Sequence, residues 1–106
     1  MSHYKDEGVG ERALMYAVGL CHNSPEVRIA ACNALAKCKS TEEAENVLIY
    51  AAQLIHNPPD VRVAAINALS MSNHRSEMAL AYTVSLGTEN EIVRAAAANK
   101  IGEKRY

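Results

Sequence analysis

Apolar residues return every three or four positions along the chain, in six successive segments. Through residues 9–22, Leu14, Ala17, Val18 and Cys21 fall on one stripe at about 100° per residue, with Ala13 and Leu20 widening it. Through residues 25–38, Val27, Ala30, Ala31, Ala34 and Cys38 make a matching stripe. The pattern predicts helices over about 9–22, 25–38, 42–56, 59–72, 75–87 and 91–104. Connections of only a few residues force neighbouring helices antiparallel.

The six helices are three copies of one pair. The block 14–28 overlays 48–62 at an offset of 34 residues, and the third block follows at an offset of 32. No gap is needed inside the blocks, so the shortening falls between Leu69 and Glu77. Nine columns are identical in all three copies: Glu11/45/77, Leu14/48/80, Tyr16/50/82, Leu20/54/86, Val27/61/93, Arg28/62/94, Ala30/64/96, Ala31/65/97 and Asn33/67/99. The repeats occupy about 9–38, 41–72 and 74–104 of a single domain spanning 1–106, and they predict an all-α superhelix, a short solenoid of three antiparallel pairs. Local chemistry sets the boundaries. Ser24 is placed to cap the second helix with Pro25 at its first position. Asn57 ahead of Pro58-Pro59 and Asn90 in copy three are expected to do the same, and residues 40–43 read as a capping box.

Composition narrows the class. The chain is 49% hydrophobic but 5% aromatic, without Trp or Phe, so small side chains must build the core, which suits closely approaching helices. A formal net charge of −1 exerts no global pull on nucleic acid or an anionic membrane. No apolar run approaches the roughly 20 residues of a membrane span. Three cysteines cannot all pair within one chain, and the first eight residues lack a signal-peptide core, so a reduced, cytoplasmic location is expected. No phosphate loop, His-Glu-x-x-His, nucleophile elbow or Cys-x-x-Cys is present. Cys21-His22, Cys32, Cys38 and His56 invite a metal reading, but Cys32 and Cys38 diverge by about 240° on one helix. No catalytic residue, metal or cofactor is therefore expected.

The sequence Val-Arg-x-Ala-Ala-x-x-Ala-Leu, at 27–35 and 61–69, resembles the second-helix signature of HEAT-like repeats of the phycobilisome-lyase type. The resemblance covers residues 9–104 and is specific for fold. It implies stacked helix pairs with the second helices lining the concave surface, within a family spanning lyases, adaptors, chaperone-like factors and nucleic-acid binders. Copy three departs from the signature at Ala98-Asn-Lys-Ile-Gly, and the Asn column stands where that family often carries an acidic residue.

Three columns are candidate functional groups. Arg28, Arg62 and Arg94 are either a basic ladder for an anionic partner or, as the resemblance implies, an inter-repeat brace, with Glu26 and Asp60 as the expected carboxylate partners. Asn33, Asn67 and Asn99 are either a polar row for a bound backbone or amides bonding across second helices. Tyr16, Tyr50 and Tyr82 are either core-rim groups with wet hydroxyls or an aromatic binding row. On the implied layout the concave surface carries Ile29, Asn33, Lys37, Val63, Asn67, Met71, Ala95, Asn99 and Glu103. Only one of these is basic, which argues against binding a phosphate backbone. The expectation is a non-catalytic interaction or scaffold module that binds a protein partner or itself. An accessory of a tetrapyrrole (phycobilin) lyase system and a nucleic-acid-binding module are the alternatives. Self-association is expected as a two-fold homodimer through an end repeat. Copy one keeps Leu14, Met15, Val18 and Leu20 thinly covered, whereas Thr83, Ser85 and Gly87 blunt copy three.

Overall fold

The computed structural model describes residues 7–19, 23–38, 41–71, 74–86 and 90–104. Among the described residues there are six helices and no strand: α1 Glu7–Gly19, α2 Pro25–Lys37, α3 Glu42–Gln53, α4 Pro59–Ala68, α5 His74–Ser85 and α6 Glu91–Lys104. They pack as the pairs α1–α2, α3–α4 and α5–α6, with α4 between α2 and α6 and α3 between α1 and α5. The result is the all-α superhelix that the repeats predict. It measures 51 × 33 × 16 Å, and the short dimension is what two helical layers about 10 Å apart occupy. The second helices pack more closely on one another than the first helices do. The layer of α1, α3 and α5 is therefore the splayed, convex one, and grooves open between its members.

Several boundaries differ from the sequence expectation, each for a hydrogen-bonding reason. Ser24 Oγ accepts from Val27 N, and Asn90 Oδ1 accepts from Ile92 N and Val93 N, as capping residues do. The cap of α3 is Thr41, whose Oγ1 accepts from Ala44 N; Ser40, the expected first residue of a capping box, lies outside the described residues. Asn57 does not cap α4. Pro58 holds that position without a side-chain bond, because the Asn57 amide is turned back to donate to Ala51 O at 2.9 Å. That bond takes a carbonyl a continuing helix would use, and α3 stops at Gln53 instead of reaching residue 56. Helix α4 stops at Ala68, four residues early. The Ser70 N–H would bond Ile66 O in a longer helix, but it donates to Glu45 Oε2 at 2.7 Å. Met71 then takes a left-handed φ of 61°, and the chain turns toward α5.

The core runs through the stack from Val18, Cys32 and Leu35 past Leu48, Ile66 and Leu69 to Leu80, Val93 and Ala97. Its stripe on α2 is rotated from the expected one: Arg28, Ala31, Cys32 and Leu35 are buried, while Val27 and Ala30 are exposed. Val27 retains 47% of its accessible surface, whereas its repeat equivalents Val61 and Val93 retain none. The side chains are alike and their neighbours differ, since α4 and α6 each have a preceding second helix to cover that valine. The patch expected at Leu14, Met15 and Val18 is not open; Val18 is buried and the other two pack against the core. Thr83 does not blunt an outer surface either. It is buried, with its hydroxyl donating to Ala79 O. Leu20, Cys21, His22 and Gly87 lie outside the described residues.

Candidate functional site

The Arg column joins the layers. Arg28 donates through Nε to Asn23 O at 3.2 Å and through Nη1 to Asn57 Oδ1, which lies in the next repeat. Arg62 Nε donates to Ala52 O at 2.8 Å, and Arg94 donates through Nε and Nη2 to Val84 O. Arg62 and Arg94 thus meet main-chain carbonyls in the last turn of the preceding first helix, where carbonyls lack helical partners, while Arg28 meets the carbonyl directly ahead of Ser24, the cap of α2. The carboxylates expected as their partners, Glu26 and Asp60, are exposed instead. A carbonyl at a helix end carries partial negative charge, and using it avoids desolvating a full carboxylate.

The Glu column was visible as an identity but carried no role in the sequence. Glu45 retains 1% of its surface. Its Oε2 accepts from Ser70 N and from Ser70 Oγ at 2.9 Å, and its Oε1 accepts from Ser76 Oγ at 2.5 Å. One side chain on α3 therefore fixes the end of α4 and the start of α5. Glu11 repeats the theme at the preceding junction, accepting from Thr41 Oγ1 at 3.3 Å. The signal was available: a carboxyl group identical in three copies, one helical turn before a core leucine.

On the second-helix face, Asn33, Asn67, Asn99, Lys37, Ala95 and Glu103 are exposed, and Ile29 and Val63 are half-buried. Met71 is a correction. Counted there by extending α4, it lies past the helix end and is buried in the core. Lys100, at the departure in copy three, donates to Asn67 O at 3.0 Å and lies 3.8 Å from Glu103. It thereby ties α6 to the end of α4.

The convex face is the more apolar of the two. Tyr16, Tyr50 and Tyr82 are 71%, 58% and 61% exposed, so all three stand clear of the core rim. Between α1 and α3 lies an open groove of about 580 Å³ lined by Arg12, Met15, Tyr16, Gly19, Glu43, Asn46 and Val47. One repeat further, between α3 and α5, Ile49, Gln53, Arg75, Met78, Ala79 and Tyr82 line a second groove of about 390 Å³. Asn46 lines the first groove, and its Oδ1 is buried without a hydrogen-bond partner among the described residues. An acceptor left so costs about 1–3 kcal/mol.

Among the described residues no three His, Cys, Asp or Glu side chains gather into a metal-binding group, and no described helix is long and apolar enough to cross a membrane. Cys32 is fully buried, and that burial pushes its thiol up to about 11, with Arg28 opposing. At pH 7 its thiolate fraction is then about one in ten thousand, and only the thiolate reacts. A maleimide at pH 7 should leave Cys32 unlabelled in the native protein and label it in urea, as read by peptide mass mapping. The raised value also sets a sign. The thiol contributes its full stability below about pH 9 and loses it as pH rises toward 11.

The fold and its junction chemistry define a short helical-repeat solenoid. Residues 12–102 match HEAT repeats, and the chain belongs to the HEAT-repeat family. The match is to the repeat in general and does not single out the phycobilisome-lyase type. No curated protein and no solved structure matches the chain. HEAT repeats generally mediate protein–protein interaction or scaffolding and are typically non-catalytic.

Proposed function

We propose that the protein is a non-catalytic scaffold that binds a protein partner on its convex, first-helix face. The observation that carries this reading is the row Tyr16–Tyr50–Tyr82 standing beside two grooves one repeat apart. Tyrosine supplies large contact area at low entropic cost and is enriched among residues that dominate binding energy. Neighbouring helices lie about 10 Å apart, a distance that about three extended residues span. The partner is thus an extended segment with two apolar side chains three residues apart, one for Met15 and Val47 and one for Ile49 and Ala79. Arg12 and Arg75 are exposed, one in each groove wall, and neither has an ion-pair partner among the described residues; they favour acidic flanks on that segment. The accessory-to-a-lyase and nucleic-acid readings have only the breadth of the family behind them.

A displayed library of random peptides, selected on the purified protein, tests this. Enriched peptides should pair two apolar residues with acidic neighbours, and Tyr50→Ala should weaken them at least tenfold, since truncating a dominant contact costs about 2 kcal/mol. Its melting temperature should hold, because the ring is exposed. Binding that survives Tyr50→Ala but is lost in Asn67→Ala would move the site to the second-helix face. Failure to enrich any peptide would overturn the proposal.

A further inference from the structure

The two ends of the stack are the two halves of one junction. At the junction between the first two repeats, α2 contributes Arg28, Cys32 and Leu35, and the second repeat contributes Asn57, Val61, Ala64 and Ala68; all seven are buried. At the C-terminal end, the equivalents of the first set are Arg94, Ala98 and Ile101, of which Ala98 is exposed and the others half-buried. At the N-terminal end, the equivalents of the second set are Asn23, Val27, Ala30 and Ala34; Val27 and Ala30 are exposed and the others half-buried.

The polar parts of these half-junctions match as well. Asn23 Nδ2 donates to Ala17 O at 3.0 Å, the posture Asn57 takes toward Ala51 O. It therefore presents Oδ1 as Asn57 does, but no donor among the described residues reaches that oxygen. Arg94 uses Nε and Nη2 on Val84 O. Its Nη1, the atom by which Arg28 holds Asn57, has no partner among the described residues. One end lacks an acceptor and the other a donor, and each carries small apolar side chains around the gap.

We infer that the occupant of each end is a second copy of this chain, stacked head to tail. Arg94 of one copy then engages Asn23 of the next, with Val27 and Ala30 closing on Ala98 and Ile101. The contact repeats the internal junction, so it continues the superhelix across molecules. It is heterologous: each copy keeps one free half-junction and association remains open-ended, unlike the closed two-fold dimer expected from the sequence.

Mixing two blocked variants separates these cases. Val27→Glu disables the N-terminal half-junction and Ala98→Glu the C-terminal one. Both positions are exposed, and circular dichroism confirms folding; Ala30→Glu substitutes for the first variant if it fails to fold. In sedimentation velocity from micromolar to submillimolar concentration, the wild type should exceed dimer mass. Each variant alone should stay monomeric, and the 1:1 mixture should form a dimer that grows no further. Arg94→Ala should weaken wild-type association at least tenfold. A monomeric wild type at every concentration overturns the inference. So does dimerisation of Ala98→Glu alone, which would mean a two-fold contact through the N-terminal end, or of Val27→Glu alone, which would mean one through the C-terminal end.

Discussion

Glu45→Ala should be the most damaging single substitution in the stack, lowering unfolding free energy by about 2–4 kcal/mol. Domains of this size have only about 5–15 kcal/mol in hand, so that loss is a large share of the total. Three donors converge on the lost oxygens, from Ser70 N, Ser70 Oγ and Ser76 Oγ. A buried donor left without its acceptor costs about 1–3 kcal/mol, although hydroxyls can turn to other acceptors and a main-chain N–H cannot. The Ser70 N–H is the anchor of the turn that holds Met71 at φ 61°, a conformation that disfavours non-glycine residues by about 1–2 kcal/mol. Losing the anchor releases that turn, and with it the docking of α5 on α3. Glu45→Gln should cost less, about 1–2 kcal/mol: its amide oxygen can still accept from Ser70, and its NH₂ can donate to a rotated Ser76 hydroxyl. Urea titrations by circular dichroism measure both. A Glu45→Ala loss under 1 kcal/mol would remove this side chain from its place as the clamp between the second and third repeats.

The fold was legible because the repeat multiplies every local signal by three. A lone Val-Arg-x-Ala-Ala is weak, but three in register with shared Leu and Tyr columns leave one architecture. What the sequence concealed is what depends on position in the stack. Val27, Val61 and Val93 are one residue type in one column, yet the first is exposed and the others are buried, because burial there is conferred by the preceding repeat. Asn57 reads as a cap from its place before two prolines, but a guanidinium from the neighbouring repeat and the Ala51 carbonyl compete for it. Met71 reads as part of a helix face because nothing in residues 69–71 announces a stop; the stop is imposed from 25 residues away by Glu45. The tyrosine row was visible as a column, while its exposure follows from the splay of the first-helix layer, which no periodicity within one helix encodes.

The second large effect is expected at Arg28. Arg28→Ala should cost about 2–3 kcal/mol, because it orphans two acceptors at once, Asn23 O and the buried Asn57 Oδ1. The loss should be coupled. In a cycle with Asn57→Ala, the interaction energy should reach about 1–2 kcal/mol, in the range of residues sharing a buried network. Arg28→Lys should recover little, since one ammonium cannot reproduce a planar fork that donates to two acceptors in different directions. Arg94→Ala is the internal control: its guanidinium satisfies one carbonyl, Val84 O, so its loss should be the smaller of the two. If Arg28→Ala and Arg94→Ala cost the same and the Arg28–Asn57 cycle closes to zero, the bond across the junction adds nothing. The repeats would then be held together by apolar packing alone, and the half-junctions at the two ends would lose the polar register proposed to align one copy on the next.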